Sequence, residues 1–217
     1  MIKSIFTFFF LLFGTSFSNL AFGQFEGKLF YEVSYLSDDK ETLTFIEMLP
    51  KESTLSIKDT QMRLSQSIAG GGSQAFITNS ATNTSTLLMR FMGQEFQVKL
   101  NESELMKLEQ TENLKIVEGT KTKVIADHKC LQSFAIQGSD TLEIYYAPEL
   151  QTNCVLPQFA DLKGIPLQYE VIKGKLRIAY SCKSISKETV ADDVFSVDPK
   201  IKEIPFEQFA KSFAIAK

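Results

Sequence analysis

Three cysteines, one histidine and two pairs of neighbouring acids are the groups through which this chain of 217 residues might act chemically. His128 stands two residues before Cys130, so on a strand the two side chains share a face and a Cys–His nucleophilic pair is geometrically open. Such a pair also needs an orienting group or a helix N-terminus to hold the thiolate, and the neighbouring sequence offers neither. The wide spacing of Cys130, Cys154 and Cys182 gives none of the close Cys or His pairs that zinc requires. Asp38-Asp39 and Asp192-Asp193 lie in turns, where adjacent acids are solvated and calcium would need several more oxygens. Gly70-Gly71-Gly72-Ser73 lacks the lysine and the helix start of a phosphate loop and reads as a turn. No Gly-x-Ser-x-Gly or His-Glu-x-x-His pattern occurs. No catalytic residue, metal or cofactor is expected, and the chain reads as non-enzymatic.

The N-terminus sets the compartment in which those thiols would work. Lys3 precedes an almost unbroken apolar run rich in Phe, and Ala21-Phe22-Gly23 supplies a small-x-small cleavage site before Gln24. The expectation is a secretory signal peptide over 1–23, an exported periplasmic or secreted mature chain, and a single domain over 24–217. No later stretch is long and apolar enough to span a bilayer. The net charge of −3 includes no Lys/Arg cluster, which argues against a nucleic-acid partner. Export into an oxidising compartment favours one disulfide. Cys130–Cys154 is the first choice, because the expected hairpin 129–147 brings Cys130 near Pro148, and a loop of that size would stabilise by roughly 3 kcal/mol. Cys130–Cys182 remains the rival pairing.

Period-two alternation positions these residues on strands. Phe25–Leu36 puts Leu29, Tyr31, Val33 and Tyr35 on one face. Further strands are expected at 53–58, 61–68, 75–79, 85–91 and 95–100, and then through the region 121–186. The segment 41–49 fits a short helix as well as a strand. Asn101, followed by Glu102 and Glu104, starts a two-turn helix. Pro205 opens a terminal helix with Phe206, Phe209 and Phe213 on one face, which either docks on the sheet or plugs a cavity.

Five short motifs carry a family resemblance. They are Phe-x-Gly-x-x-x-Tyr at 25–31, Lys-x-Ile-x-x-x-Lys-Cys at 123–130, Tyr-Tyr-Ala-Pro-Glu-Leu at 145–150, Leu-Lys-Gly-Ile-Pro-Leu-x-Tyr at 162–169 and Asp-x-x-Phe-x-Val at 192–197. Together they resemble secreted bacterial envelope proteins of the domain-of-unknown-function family numbered 4412, and more distantly the GLPGLI family. The chain departs from the pattern at Asp127, where those proteins tend to carry glycine. Through these families it is similar to the wider group of LolA/LolB-type lipoprotein carriers. That resemblance implies a mainly β fold: a curved antiparallel sheet forming an unclosed half barrel, with helices covering its concave face. It also implies that acyl chains are held there, and it carries over no catalytic residue.

Two functions follow as expectations. In the first, the chain binds a lipid or acylated ligand on the concave face, with Leu29, Tyr31, Tyr35, Tyr169, Leu176, Ile178 and Tyr180 as candidate lining. In the second, the same residues form a dry core and the chain is a structural or protein-interaction module of the envelope.

Overall fold

The alternating segments pair into one sheet. A computed structural model describes residues 24–109 and 114–212; the segment 1–23 expected to be a signal peptide and Phe213 lie outside them. Two antiparallel meanders form it. The first comprises β1 (Gly27–Leu36), β2 (Glu52–Lys58), β3 (Gln61–Ile68), β4 (Gly72–Asn79), β5 (Thr84–Phe91) and β6 (Gln94–Leu100). The second comprises β7 (Lys115–Ile125), β8 (His128–Gln137), β9 (Asp140–Ala147), β10 (Ile165–Lys173) and β11 (Leu176–Lys187). A two-residue strand, β12 (Lys202–Glu203), adds to β6 in parallel. The result is a 12-stranded sheet in the order β12-β6-β5-β4-β3-β2-β1-β11-β10-β9-β8-β7. It is mainly β and unclosed, an open half barrel.

The meanders meet where β1 runs antiparallel to β11, from Gly27 opposite Lys187 to Leu36 opposite Arg177. Along β1 the alternation resolves cleanly: Leu29, Tyr31 and Val33 are buried, while Phe30, Glu32 and Ser34 are exposed. A bulge in β11 at Lys183 sets Tyr31 opposite Cys182 and Phe30 opposite Ser184. Cys182 shares the concave face with Ile178 and Tyr180 by plain alternation, and the extra residue shifts the phase so that Ile185, opposite Leu29, returns to that face.

Three helices complete the fold. The ambiguous segment after β1 is helical: α1 (Lys40–Phe45) runs into a 3-10 turn at Ile46–Met48. Between the meanders lies α2 (Glu102–Glu109), closed by a reciprocal capping box. In it Asn101 Oδ1 accepts from the Glu104 N–H at 2.9 Å, and Glu104 Oε2 accepts from the Asn101 N–H at 2.9 Å. After β11 the chain crosses the convex face, where Val190 and Phe195 pack with Ile77 of β4. Arg63 Nη1 donates to Val194 O at 2.8 Å, and Lys58 Nζ donates to Asp192 Oδ1 at 2.6 Å, fastening that crossing. This is the structural role of the Asp192–Val197 motif. The chain then rounds the β6 edge, and α3 (Phe206–Ser212) folds onto the concave face with Phe209 buried and its ring 6.3 Å from that of Phe96.

The free edge at β7 is broken by a bulge between Glu118 and Thr122. The Gln132 side chain fills it, its Oε1 lying 2.6 Å from where a Cβ on Gly119 would sit. The bulge and the exposed lysines of β7 interrupt the flat, pairing-ready edge that another strand would need.

The β7–β8 turn takes both of its residues, Ala126 at φ 47° and Asp127 at φ 64°, into the left-handed region, as a two-residue hairpin turn of this type requires. Asp127 thus holds a conformation that glycine would adopt without strain. The left-handed region costs an L-residue about 1–2 kcal/mol, less for Asp, whereas glycine enters it freely. Asp127 is exposed, so Asp127→Gly is expected to stabilise the fold by about 0.5–1 kcal/mol and Asp127→Val to destabilise it by at least about 1 kcal/mol. Urea midpoints of the two variants check this.

Candidate functional site

The concave face is not filled. Between the meanders lies a cavity of about 540 Å³, walled on one side by β10 and β11 and on the other by β3, β4 and β5. The alternation of each strand delivers its lining: Leu64 and Gln66 from β3, Gln74 and Phe76 from β4, Leu87 and Met89 from β5, Val171 from β10 and Ile178 from β11. Leu108 of α2 and Phe209 of α3 close the side next to β6, and Leu49 with Pro50 stands at the mouth. Other hollows, of about 410, 360 and 310 Å³, carry mainly polar and charged side chains.

Tyr169 and Tyr180 form the floor, backed by Phe159 and Tyr31. Tyr169 and Tyr180 stack at 4.6 Å and 10°, Phe159 meets Tyr169 edge-on at 4.8 Å, and Tyr31 stands edge-on to both tyrosines. Each such contact adds roughly 0.5–1.5 kcal/mol beyond area burial. The hydroxyls are anchored: Tyr31 Oη donates to Pro166 O at 2.8 Å, and Tyr35 Oη donates to Pro50 O at 2.6 Å. Burial drives the ionisation of Tyr31, Tyr169 and Tyr180 upward, so all three are neutral hydrogen-bonding groups at physiological pH.

The polar groups of the cavity are few. Lys173 Nζ pairs with Glu109 Oε2 at 3.0 Å across from α2 to β10. Burial opposes the lysine's charge, but Glu109 outweighs it and the Lys173 pKa rises. Gln74 Nε2 donates to Gln66 Oε1. Gln158, only 5 % exposed, has its Oε1 without a hydrogen-bond partner among the described residues. Leaving a buried acceptor unmet costs about 1–3 kcal/mol.

Of the candidate lining residues, Tyr35, Tyr169, Leu176, Ile178 and Tyr180 border this cavity. Leu29 and Tyr31 do not. Leu29 is fully buried in the core, and Tyr31 borders a narrow gap of about 30 Å³ beneath the 148–164 segment. The wall given by β3, β4 and β5 was missed, although period two was legible in those strands. Nothing local reveals which of their faces meets β10 and β11 across the sheet.

The expected Cys130–Cys154 bridge is not formed: all three cysteines are free and buried. After β9 the chain does not stay beside β8. It crosses to the first meander, where Cys154 Sγ points to Thr78 O of β4 at 3.7 Å, while Cys130 Sγ points to His128 O at 3.5 Å. Burial pushes each thiol up to about 11, so none is a thiolate at neutral pH. His128 Nδ1 turns to Glu149 Oε1 at 2.8 Å, and no Cys–His pair forms.

No family model matches the chain, and no curated protein does. Among solved structures it is similar to PNGF-II in two crystal forms. The P21 form superposes with TM-score 0.56 and 13 % identity over 87 % of this chain and 33 % of that one; the C2 form gives 0.55 and 14 % over 85 % and 32 %. The chain spans about a third of the length of PNGF-II. The Mycobacterium tuberculosis lipoprotein LppX is a remoter neighbour, with TM-score 0.38 and 8 % identity over 76 % of this chain and 89 % of that one. At these identities the likeness to PNGF-II speaks for the fold.

Two outcomes test the site's construction. Phe209→Ala should cost about 3–5 kcal/mol in equilibrium unfolding, since a cavity term adds to the lost transfer energy; a change below 1 kcal/mol would make α3 a loose cover. Iodoacetamide near neutral pH should label no cysteine in the folded chain and all three in urea without reductant. A single labelled thiol in urea would reinstate a bridge.

Proposed function

We propose that the chain is a non-enzymatic envelope protein, exported by its N-terminal leader, that shelters a hydrophobic ligand such as a lipid or acyl chain on the concave face of its sheet. One observation carries this reading: a cavity of about 540 Å³, lined by Leu, Ile, Val, Met, Phe and Tyr, persists between the two walls although α2 and α3 are packed over it. Its size lies within the roughly 300–1,000 Å³ of small-molecule sites, which combine apolar walls with a few placed polar groups. Gln158 Oε1 fits that role, because a hydroxyl or amide N–H on the ligand would satisfy it. The five motifs that resemble family 4412, and through it LolA/LolB-type carriers, agree with the same reading. Among the described residues no helix is long and apolar enough to cross a membrane.

A second reading, an envelope interaction module, is favoured by one observation. PNGF-II carries this fold over about a third of its length, so the architecture also occurs as a portion of a larger protein.

Filling the cavity separates the two. Val171 sits on β10 facing the space, and Val171→Trp should lower uptake of a fluorescent long-chain fatty acid at least tenfold while the thermal midpoint stays within a few degrees. Uptake by neither wild type nor variant would favour the interaction module. Equal uptake by both would place the ligand elsewhere.

A further inference from the structure

Most of the exposed large apolar side chains gather at one end of the half barrel. Leu36 (65 % exposed) ends β1, Leu43 (48 %) and Phe45 (58 %) lie on α1, Met48 (52 %) on the 3-10 turn, and Phe91 (45 %) and Met92 (86 %) at the β5–β6 turn. The antiparallel order puts the end of β1, the β3–β4 and β5–β6 turns and the β10–β11 turn on the same rim. The segment 37–50 crosses that rim as a strap. At one end Asp39 holds it to the β10–β11 turn, accepting from Lys175 Nζ at 2.7 Å, and Ser37 Oγ donates to Lys175 O at 2.9 Å. At the other end the Ala69 N–H of the β3–β4 turn donates to Met48 O at 3.4 Å. No residue of α1 or of the 3-10 turn is buried. A helix that leaves both Leu43 and Phe45 about half exposed, with no buried residue of its own, departs from the rule that the apolar residues of a helix face a core.

The last two residues of the strap, Leu49 and Pro50, border the cavity together with Tyr35. We propose that this rim is a bilayer-docking surface. Leu43, Phe45 and Met48, with Leu36, Phe91 and Met92, enter the outer part of a lipid monolayer, and the mouth of the cavity then faces the acyl layer. Three features favour a bilayer over a protein. The apolar groups sit on separate projecting turns, which a fluid layer accommodates and a flat protein face does not. The charges along the strap are mixed, with acids in excess (Asp38, Asp39, Glu41 and Glu47 against Lys40, with Lys175 paired to Asp39), which suits a zwitterionic surface rather than an anionic one. Docking at this rim lets an acyl chain pass into the cavity without crossing water, so the orientation, though not the contact itself, rests on the ligand reading above. The surface belongs to the class of interfacial attachments whose strength follows the apolar area inserted.

Flotation with phosphatidylcholine vesicles tests it, using the chain purified from the envelope of cells expressing the whole sequence. The wild type should float with the vesicles. The triple variant Phe45→Ser, Met48→Ser, Met92→Ser should float at least tenfold less, with an unchanged thermal midpoint and unchanged uptake of fluorescent fatty acid in solution. Because the chain has no Trp, Phe45→Trp gives a second reading that does not depend on the triple variant folding: its emission should shift to the blue when vesicles are added. Absence of flotation by the wild type overturns the proposal. So does equal flotation of wild type and variant, which would assign attachment to the N-terminus, and so does an oligomer in sedimentation velocity that the triple substitution dissociates. Flotation lost in the variant alongside no fatty-acid uptake by either protein would support the rim and contradict the cavity reading.

Discussion

The ladder between β1 and β11 is the constraint on which the rest of the molecule depends. Each meander by itself is a set of local hairpins, with a face to bury and nothing opposite it. Pairing the first strand with the last long one, from Gly27–Lys187 to Leu36–Arg177, joins the two into one surface and sets β10–β11 against β3–β5 across the concave space. Register carries the consequence, since a one-residue slip would turn Leu29, Tyr31 and Val33 to solvent and bring Glu32 inside. The bulge at Lys183 is where that register is adjusted, and it lies beside the buried Cys182 and Tyr31.

Packing is uneven along the barrel. Toward the start of β1 the 148–164 segment lies over the concave face, and Leu150, Cys154 and Phe159 fill it until only a small gap remains beside Tyr31. Toward the end of β1 no such segment crosses. Instead α2 and α3 contribute Leu108 and Phe209 at one side, and the short strap spans the mouth, lending it only Leu49 and Pro50. The cavity therefore follows from an unequal division of covering chain between the two ends of one sheet. Its aromatic floor, with Tyr169 stacked on Tyr180, marks the border between the dry half and the open half.

Much of this was legible because strands announce themselves with period two: the alternation of Phe25–Leu36 or Leu176–Cys182 needs no partner to be read. The capping box at Asn101 and Glu104 was equally local. What escaped were long-range matters. The Cys130–Cys154 pairing assumed that the chain after β9 stays beside β8; its crossing to β4 depends on the shape of the whole sheet, not on residues 148–154. Leu29 and Tyr35 stand on the same strand face, yet one is core and the other borders a cavity, because the covering segments reach only one end. Two-residue β12 has no pattern to detect. The segment 41–49 read as either helix or strand because its apolar residues serve no core, and that same lack of burial is what leaves them at the rim.

The central claim is that the concave space holds an apolar ligand rather than standing empty by accident of packing. Native mass spectrometry of the chain purified from its own cell envelope without detergent addresses this most directly. The account predicts a population heavier than the polypeptide by the mass of one amphiphile, which dissociates on activation and is absent from Val171→Trp. A single species at the polypeptide mass, from protein that retains its fold, would contradict it.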